Sequence, residues 1–320
     1  MVMLDPWLVA GFLLAAWSVI ANDSIQTLGT FLSSNAHRPW WVLWLFASSV
    51  LVVVLLYGWL TGDGDAAYGR LARFPEETRG PSWLYLIPPL TLLALTRFGI
   101  PVSTTFLILT VFAPANLPDM LLKTGIGYAI AIALGFAVYR WVVHHAEIRF
   151  FATSDQDTPA AWILAQWLAT AFLWSQWLIQ DLANLYVYLP RTVTPPMLGA
   201  SLAVIVAVLA WVFAKRGGVI QGIVTRKVNT LDVRSATLID LIYGLILLVF
   251  KEASDLPMST TWVFIGLLAG RELALTWHHG HRQMHETVRH VGMDAARAGT
   301  GIVISVVLAL ALPWLAGRLA

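Results

Sequence analysis

The chain has 320 residues, of which 58% are hydrophobic and only 12% are charged, and its mean hydropathy is +0.72. This composition lies outside the range of soluble domains and predicts an all-α polytopic membrane protein in a lipid bilayer. The net charge of +2 comes from loop Lys and Arg and predicts no nucleic-acid partner. The absence of Cys excludes disulfides and cysteine-based zinc sites.

Ten apolar segments follow one another, five in each half of the chain. Each helical crossing needs about 20 residues, so the length leaves room for roughly eight to ten membrane segments. The segments fall near 7–21, 40–60, 83–97, 101–113 and 120–143, and then near 160–180, 196–214, 235–252, 258–270 and 298–316. We predict a first transmembrane repeat at 1–143, a cytoplasmic linker at 144–159 and a second transmembrane repeat at 160–320.

The first segment of each half runs into a polar stretch that contains an aspartate, Asn22-Asp23-Ser24 and Gln180-Asp181. Polar residues within an apolar helix are typical of a discontinuous helix that lines a cavity. A carboxylate at this depth costs several kcal/mol unless it is paired, protonated or bound to a cation, and neither aspartate has a Lys or Arg beside it in sequence. The predicted Na⁺-binding residues, with a bound proton as the alternative, are Asp23, Asp181, Asn22, Gln26, Gln180 and Asn184.

The phrase Pro-x-Ser-Thr-Thr also occurs twice, at a matching distance from each aspartate. Asp23 stands 80 residues before Ser103, and Asp181 stands 78 residues before Ser259. Short apolar arms flank each phrase and predict re-entrant hairpins with the hydroxyl-rich turn at the tip. Hydroxyl groups at the start of a helix suit an anion. The predicted anion-binding residues are Ser103, Thr104, Thr105, Ser259, Thr260 and Thr261.

Basic residues are distributed unevenly between the loops. Twelve of the 20 Lys and Arg fall near 34–39, 140–158, 215–234 and 271–297. The positive-inside rule makes these loops cytoplasmic, places both termini outside and gives the two repeats inverted topology. The His-rich segment 278–290 is therefore predicted to be a solvated cytoplasmic loop, with metal binding or pH sensing as alternatives.

The two kinds of motif predict a coupled transport mechanism. An anion and two carboxylates in one site would repel one another, so cations must sit between them. With a membrane potential of about 100 mV, negative inside, the entry of each anionic charge costs roughly 2.3 kcal/mol, and the entry of each cationic charge is favoured by the same amount. We therefore expect a symporter rather than an enzyme, with Na⁺ or H⁺ as the coupling ion and no cofactor.

The segment Ala21-Asn22-Asp23, followed by Gly29-Thr30, and the doubled Pro-x-Ser-Thr-Thr together resemble the inorganic phosphate transporter (PiT) family. The hallmarks of that family are a G-A-N-D-x-x-N helix and a G-x-P-V-S-T-T hairpin in each of two inverted repeats. The resemblance implies Na⁺-coupled symport of phosphate across the cell membrane by alternating access. It also implies that the six hydroxyl residues hold phosphate and that the two aspartates lie at the cation sites.

Three alternatives remain open at this stage. Phe106 and Trp262 follow the Ser-Thr-Thr phrases where many family members have a polar residue, so a sulfate permease of the same fold is one. An intramembrane aspartyl protease is another, because two buried carboxylates that share a proton can activate water. A passive anion channel is the third. The sequence also leaves a homodimer open.

Overall fold

The computed structural model describes residues 5–76, 81–98, 100, 102–143, 159–217, 232–253, 258–277 and 281–319. Within these residues the chain is mainly helical and contains no strand. The helices are α1 (Pro6–Ser34), α2 (Trp40–Thr61), α3 (Ile87–Arg97), α4 (Thr104–Phe112), α5 (Leu117–Val138), α6 (Ala160–Asp181), α7 (Ala183–Tyr186), α8 (Pro195–Ala214), α9 (Val233–Ala253), α10 (Thr260–Thr276) and α11 (His281–Leu319).

The helices follow the predicted five-and-five order, with α7 as one extra turn after α6. Both hairpin phrases begin a helix: the Ser103 Oγ accepts from Phe106 N, and the Ser259 Oγ accepts from Trp262 N, each at 3.2 Å. Serine at this position satisfies a backbone N–H that has no partner within the helix. The predicted linker, apart from residue 159, lies outside the described residues.

Two sequence-based expectations about helix limits are wrong. The predicted break at Asn22-Asp23-Ser24 does not occur, because α1 runs unbroken from Pro6 to Ser34; its polar side chains bond to neighbours and leave the backbone ladder intact. The second break is real, since α6 ends at Asp181 and α7 starts at Ala183. The His-rich segment is not a loop from His281 onward, because α11 begins there; His278 and His279 lie outside the described residues.

Among the described residues, six helical segments are long and apolar enough to cross a membrane by length and composition. They are Pro6–Ser24, Trp40–Thr61, Pro114–Trp141, Pro195–Ala214, Val233–Phe250 and Met284–Leu319. This number is below the eight to ten segments expected, because α3 and α4 have only 11 and 9 residues and the 22-residue α6 contains three Gln and an Asp. Large apolar side chains such as Leu60 and Val53 are 69% and 66% exposed, as expected of a surface that faces lipid.

The first helices of the two halves, α1 and α6, run in opposite directions. The end of α1 meets the start of α6, where the Asn35 Nδ2 donates to the Gln166 Oε1 at 2.9 Å. The start of α1 meets the residues that follow α6, where the rings of Phe12 and Tyr186 are 6.1 Å apart. This antiparallel arrangement is the one that inverted repeats require, although the inversion of the complete halves stays a prediction.

Each half packs its hairpin against the other half. Helix α4 of the first half packs on α11, and α10 of the second half packs on α5. The α5–α10 contact is close because it is lined by glycines: a methyl group on Gly270 would overlap the Ile132 carbonyl oxygen, and one on Gly266 would lie 2.8 Å from the Tyr128 oxygen. Small residues four apart allow the backbones of membrane helices to approach in this way.

The glycine contact predicts a difference between two glycine substitutions. Gly270→Ala should destabilise the protein by about 1–3 kcal/mol, because the new methyl group meets backbone atoms that cannot move independently. Gly299→Ala is the matched control, since a methyl group there meets nothing within 4 Å. Thermal unfolding in detergent, followed by tryptophan fluorescence, should show a lower Tm for Gly270→Ala only; equal Tm values would contradict the close packing.

Candidate functional site

The first aspartate is held between α1 and the tip of the first hairpin. The Asp23 Oδ1 accepts from the Asn22 Nδ2, and its Oδ2 accepts from the Thr104 Oγ1, both at 2.6 Å. The Asn22 Nδ2 also lies 3.5 Å from the carbonyl oxygen of Val102, and its Oδ1 accepts from Thr96 at 3.4 Å. The carboxylate therefore anchors α1 to the hairpin, with Asn22 as a second link.

The second aspartate bonds to the same hairpin from the opposite half of the chain. The Asp181 Oδ1 accepts from the Thr105 Oγ1 at 3.1 Å and from the Asn184 Nδ2 at 2.7 Å. The Asn184 amide also lies 3.2 Å from the Thr104 Oγ1 and 3.4 Å from the Thr105 Oγ1. Asp181 and Asn184 stand three residues apart, a spacing that brings side chains together on one face of a helix, and Leu182 between them keeps helical backbone angles. Two consecutive threonines thus contact the two predicted cation-binding aspartates.

The two hairpin tips meet through reciprocal hydrogen bonds. The Thr105 Oγ1 lies 3.5 Å from the Met258 carbonyl oxygen, and the Thr261 Oγ1 lies 3.3 Å from the Val102 carbonyl oxygen. Thr105 and Thr261 occupy the same place in their phrases, as do Val102 and Met258. This exchange relates the tips by a local two-fold axis and brings the starts of α4 and α10 together.

The cluster contains two buried carboxylates and no side chain that forms an ion pair with either of them within the described residues. Asp23 is 1% exposed and Asp181 is 0% exposed, and the two carboxylates are close enough to repel each other. Within the described part of the chain, no Lys or Arg forms an ion pair with either one. The buried Arg70 attracts Asp181 only at longer range. Paired negative charge at this depth requires a cation or a proton.

Buried side-chain oxygens without a hydrogen-bond donor occur on Asp181 and on two residues close to it in sequence. Among the described residues, the Asp181 Oδ2, the Asn184 Oδ1 and the Gln180 Oε1 are buried and accept no hydrogen bond. Buried polar atoms are normally satisfied, so each such atom calls for an explanation. Carboxylate and amide oxygens are the ligands that hard cations prefer. The donor set near Asp181 therefore fits a small cation.

The remaining predicted residues lie at different distances from this centre. Ser103 and Ser259 cap α4 and α10, so their oxygens already accept a backbone hydrogen bond. Thr260 lies beside the Asp181 carboxylate. The Gln180 Nε2 is turned toward α9, where it donates to the Leu247 carbonyl oxygen at 3.2 Å. Gln26 is buried on α1, and no hydrogen bond joins it to the cluster within the described residues.

Sequence reasoning missed several groups around the cluster. Thr96 bonds to Asn22, and the Tyr243 hydroxyl donates to the Thr260 carbonyl oxygen at 3.1 Å. A third buried carboxylate, Asp240, lies on α9 and is 0% exposed. Its signal was an aspartate within the apolar run Leu238-Ile239-Asp240-Leu241-Ile242. It escaped notice because it has no partner in the other half at a matching position.

A cavity of about 650 Å³ opens beside the cluster, between α1, α3 and the end of α8. Thr96 lines it and also bonds to Asn22, so the cavity adjoins the Asp23 side of the cluster. The exposed side chains of Arg97 and Lys215 line the same cavity. Two cationic groups in a partly apolar cleft raise the local concentration of anions.

Comparison with known proteins supports the fold. No family model matches the sequence, and no curated protein matches it. A solved structure entitled "The sodium-dependent phosphate transporter" has the same fold, with a TM-score of 0.64 and 16% sequence identity over 98% of this chain and 98% of that chain. The similarity extends from end to end and confirms the predicted all-α polytopic membrane fold.

The hydrogen bonds of Asn184 predict that this side chain stabilises the site. Asn184→Ala should lower stability by about 1–3 kcal/mol, because it removes bonds to Asp181, Thr104 and Thr105 in a buried place. Asn116→Ala is the control, since the Asn116 amide bonds only to the Arg73 carbonyl oxygen at the surface, at 3.2 Å. Thermal unfolding in detergent should show a clearly larger loss for Asn184→Ala, and equal losses would contradict a bridging role.

Proposed function

We propose that the protein is a secondary transporter that carries phosphate, or a similar tetrahedral oxyanion, together with Na⁺ by alternating access. The observation that carries the proposal is the placement of Asp23 and Asp181, from opposite halves of the chain, on consecutive threonines of one hairpin tip. The fold likeness to a sodium-dependent phosphate transporter supports the same conclusion. The Ser-Thr-Thr and Asn-Asp motifs supply the chemistry.

The cation sites are assigned to the two aspartates and the amides beside them. Asp181, Asn184 and Gln180 present buried oxygen atoms without hydrogen-bond partners, and Asn22 supports Asp23 on the other side. A Na⁺ ion here would balance one of the two buried negative charges and would be coordinated by these oxygens. Gln26, which is buried on the same helix as Asp23, remains a candidate ligand.

The anion is assigned to the hydroxyl groups at the hairpin tips. Thr104 and Thr105 now donate to carboxylates, so their hydrogens already point at negatively charged oxygen. With cations bound between it and the aspartates, an oxyanion could accept hydrogen bonds from these two hydroxyls. The other proposed anion ligands are Ser103, Ser259, Thr260 and Thr261. The starts of α4 and α10 add two positive dipole ends. This arrangement favours tetrahedral oxyanions without choosing between phosphate and sulfate.

The cavity lined by Arg97 and Lys215 is the proposed route between the site and one face of the membrane. Lys215 follows α8 and lies in a loop that the distribution of basic residues assigns to the cytoplasm. An anion leaving the cluster would pass Thr96 and then these two cations. The two-fold relation of the hairpin tips suggests an equivalent route on the other face in a second conformation.

The deciding experiment is uptake by purified protein in liposomes. We expect radiolabelled phosphate to accumulate only when an inward Na⁺ gradient is imposed, and excess sulfate to show whether the site discriminates between oxyanions. Flux that ignores the cation gradient would identify a passive channel instead. Proteolysis that Asp23→Asn abolishes would identify a protease.

Replacing the second aspartate should stop cation coupling. Asp181→Asn keeps the size of the side chain but removes a charge that a cation needs, so Na⁺-dependent uptake should fall at least about tenfold, since a hydrogen-bonded charge contributes about 1.5–3 kcal/mol. Asp119→Asn, at an exposed position on α5, is the matched control and should transport normally. Unchanged uptake by Asp181→Asn in correctly folded protein would overturn the assignment of Asp181.

Replacing threonine hydroxyls should act mainly on the anion. Thr104→Val and Thr260→Val keep the side-chain shape and remove one donor each, which should raise the phosphate concentration for half-maximal uptake about three- to tenfold, as expected for about 0.5–1.5 kcal/mol. The Na⁺ dependence should change less. Equal losses of phosphate and Na⁺ affinity would show that the two kinds of ligand are not separated in this way.

A further inference from the structure

Asp240 forms a second polar centre away from the aspartate cluster. Its Oδ1 accepts from the Thr30 Oγ1 at 2.5 Å, and its Oδ2 accepts from the Thr170 Oγ1 at 2.6 Å. These three residues lie on α9, α1 and α6, and Asp240 is 0% exposed. The centre therefore joins the helix that carries Asp23 to the helix that carries Asp181.

The charge of this carboxylate is not compensated by a neighbouring side chain. Within the described residues no ion pair reaches Asp240. The helices packed on α9 are α1, α6 and α10. The charged side chains described on these helices and on α9, besides Asp240, are Asp23, Asp181, Arg234, Arg271 and Glu272. Arg234 is bound to Asp232 at 2.7 Å, and two neutral hydroxyls do not offset a buried negative charge.

The hydroxyl partners suit a carboxyl group that gains and loses a proton. When Asp240 is ionised, both threonines donate to it, and O–H···O⁻ bonds have the short distances seen here. When it is protonated, its O–H can donate to one threonine oxygen, and that threonine can turn its own hydrogen to the carbonyl one turn back in its helix. Both states keep the carboxyl group hydrogen-bonded to the two threonines, but the bonds are weaker in the neutral, protonated state, whereas a metal ion would need further oxygen ligands.

A line of polar groups leads from this centre to the end of α1, with one step through a backbone carbonyl oxygen. One turn beyond Thr30, the Ser34 Oγ donates to the Thr30 carbonyl oxygen at 2.9 Å. The Gln166 amide, one turn from Thr170, donates to the Ser34 Oγ. Asn35 bonds to Gln166 at 2.9 Å and accepts from the Arg38 Nε at 3.2 Å. Arg38 is only partly buried, so the polar line reaches the membrane face at which α1 ends.

We propose that Asp240 is a proton-binding site, separate from the Asp23–Asp181 cluster, that exchanges protons with the membrane face at which α1 ends. Protonation there changes the attraction between α9 and the two threonine-bearing helices. Because α1 and α6 also carry the aspartates of the cluster, the proton on Asp240 biases the relative positions of Asp23 and Asp181. The binding of this proton does not depend on the identity of the transported ion.

The first test uses wild-type protein and a reagent that needs the protonated acid. The O–H of a carboxylic acid in an apolar place adds across a C=N bond of dicyclohexylcarbodiimide, and the O-acylisourea so formed rearranges to a stable N-acylurea, which peptide mass spectrometry can locate. We expect labelling of Asp240 that falls at least about tenfold between about pH 5 and pH 9, as a titrating carboxyl requires, and that is equal in sodium and choline chloride. Absence of labelling, or labelling constant with pH, overturns the proposal.

Sodium gives the second outcome that overturns it. If Na⁺ protects Asp240 from the reagent at constant pH, the residue binds a metal ion and the assignment to a proton is wrong. Asp23 and Asp181 provide an internal comparison, because the proposed function predicts Na⁺ protection at those two positions. Failure there with pH-dependent labelling at Asp240 would refute the proposed function and leave this inference intact.

Variants test whether the titrating carboxyl group is Asp240. Asp240→Asn should remove the part of the infrared carboxylic-acid signal that disappears as the pH rises, while Asp119→Asn should not change it. Thr170→Val keeps the acid and removes one partner, so it should shift the pH at which half the signal is lost. If Asp240→Asn leaves the titrating signal unchanged, the proposal fails; if that variant does not fold, the carbodiimide experiment on wild-type protein decides.

Discussion

The structure depends on placing two uncompensated carboxylates in the membrane without exposing them to lipid. Asp23 and Asp181 meet this requirement by sharing one hairpin tip, where the Thr104 hydroxyl donates to Asp23 and the Thr105 hydroxyl donates to Asp181. Neutral donors reduce the cost of burial but do not remove it, and the two aspartates also repel each other. One hairpin tip therefore joins the two halves of the chain and also concentrates negative charge where they meet.

Much of the architecture follows from hydrophobic patterning. The predicted segments 40–60 and 196–214 agree with α2 and α8 to within one residue, because uniformly apolar helices have clear ends. The continuity of α1 could not be predicted, because it depends on partners for Asn22 and Asp23 that lie about 80 residues away. The helical start of α11 at His281 was missed because polar helical residues give no apolar signal.

The candidate site was predictable in its members but not in its pairing. Duplication of the Asp and Ser-Thr-Thr motifs identified both aspartates and Thr104, Thr105 and Thr261, which the structure brings together. Sequence alone could not show that Thr105 crosses to the aspartate of the other half, or that the Gln180 amide turns toward Leu247. Asp240 was not predicted because the first half has no aspartate at a matching position, so no repeated motif marked it.

The crossed packing of the hairpins has an implication for how the chain matures. Because α4 rests on α11 and α10 rests on α5, the first half to leave the ribosome lacks the surface that covers its own hairpin. The first half can therefore complete its packing only after the second half has been inserted into the membrane. Two polypeptides divided near residue 150 should consequently rebuild a working unit when made together, and neither should persist by itself.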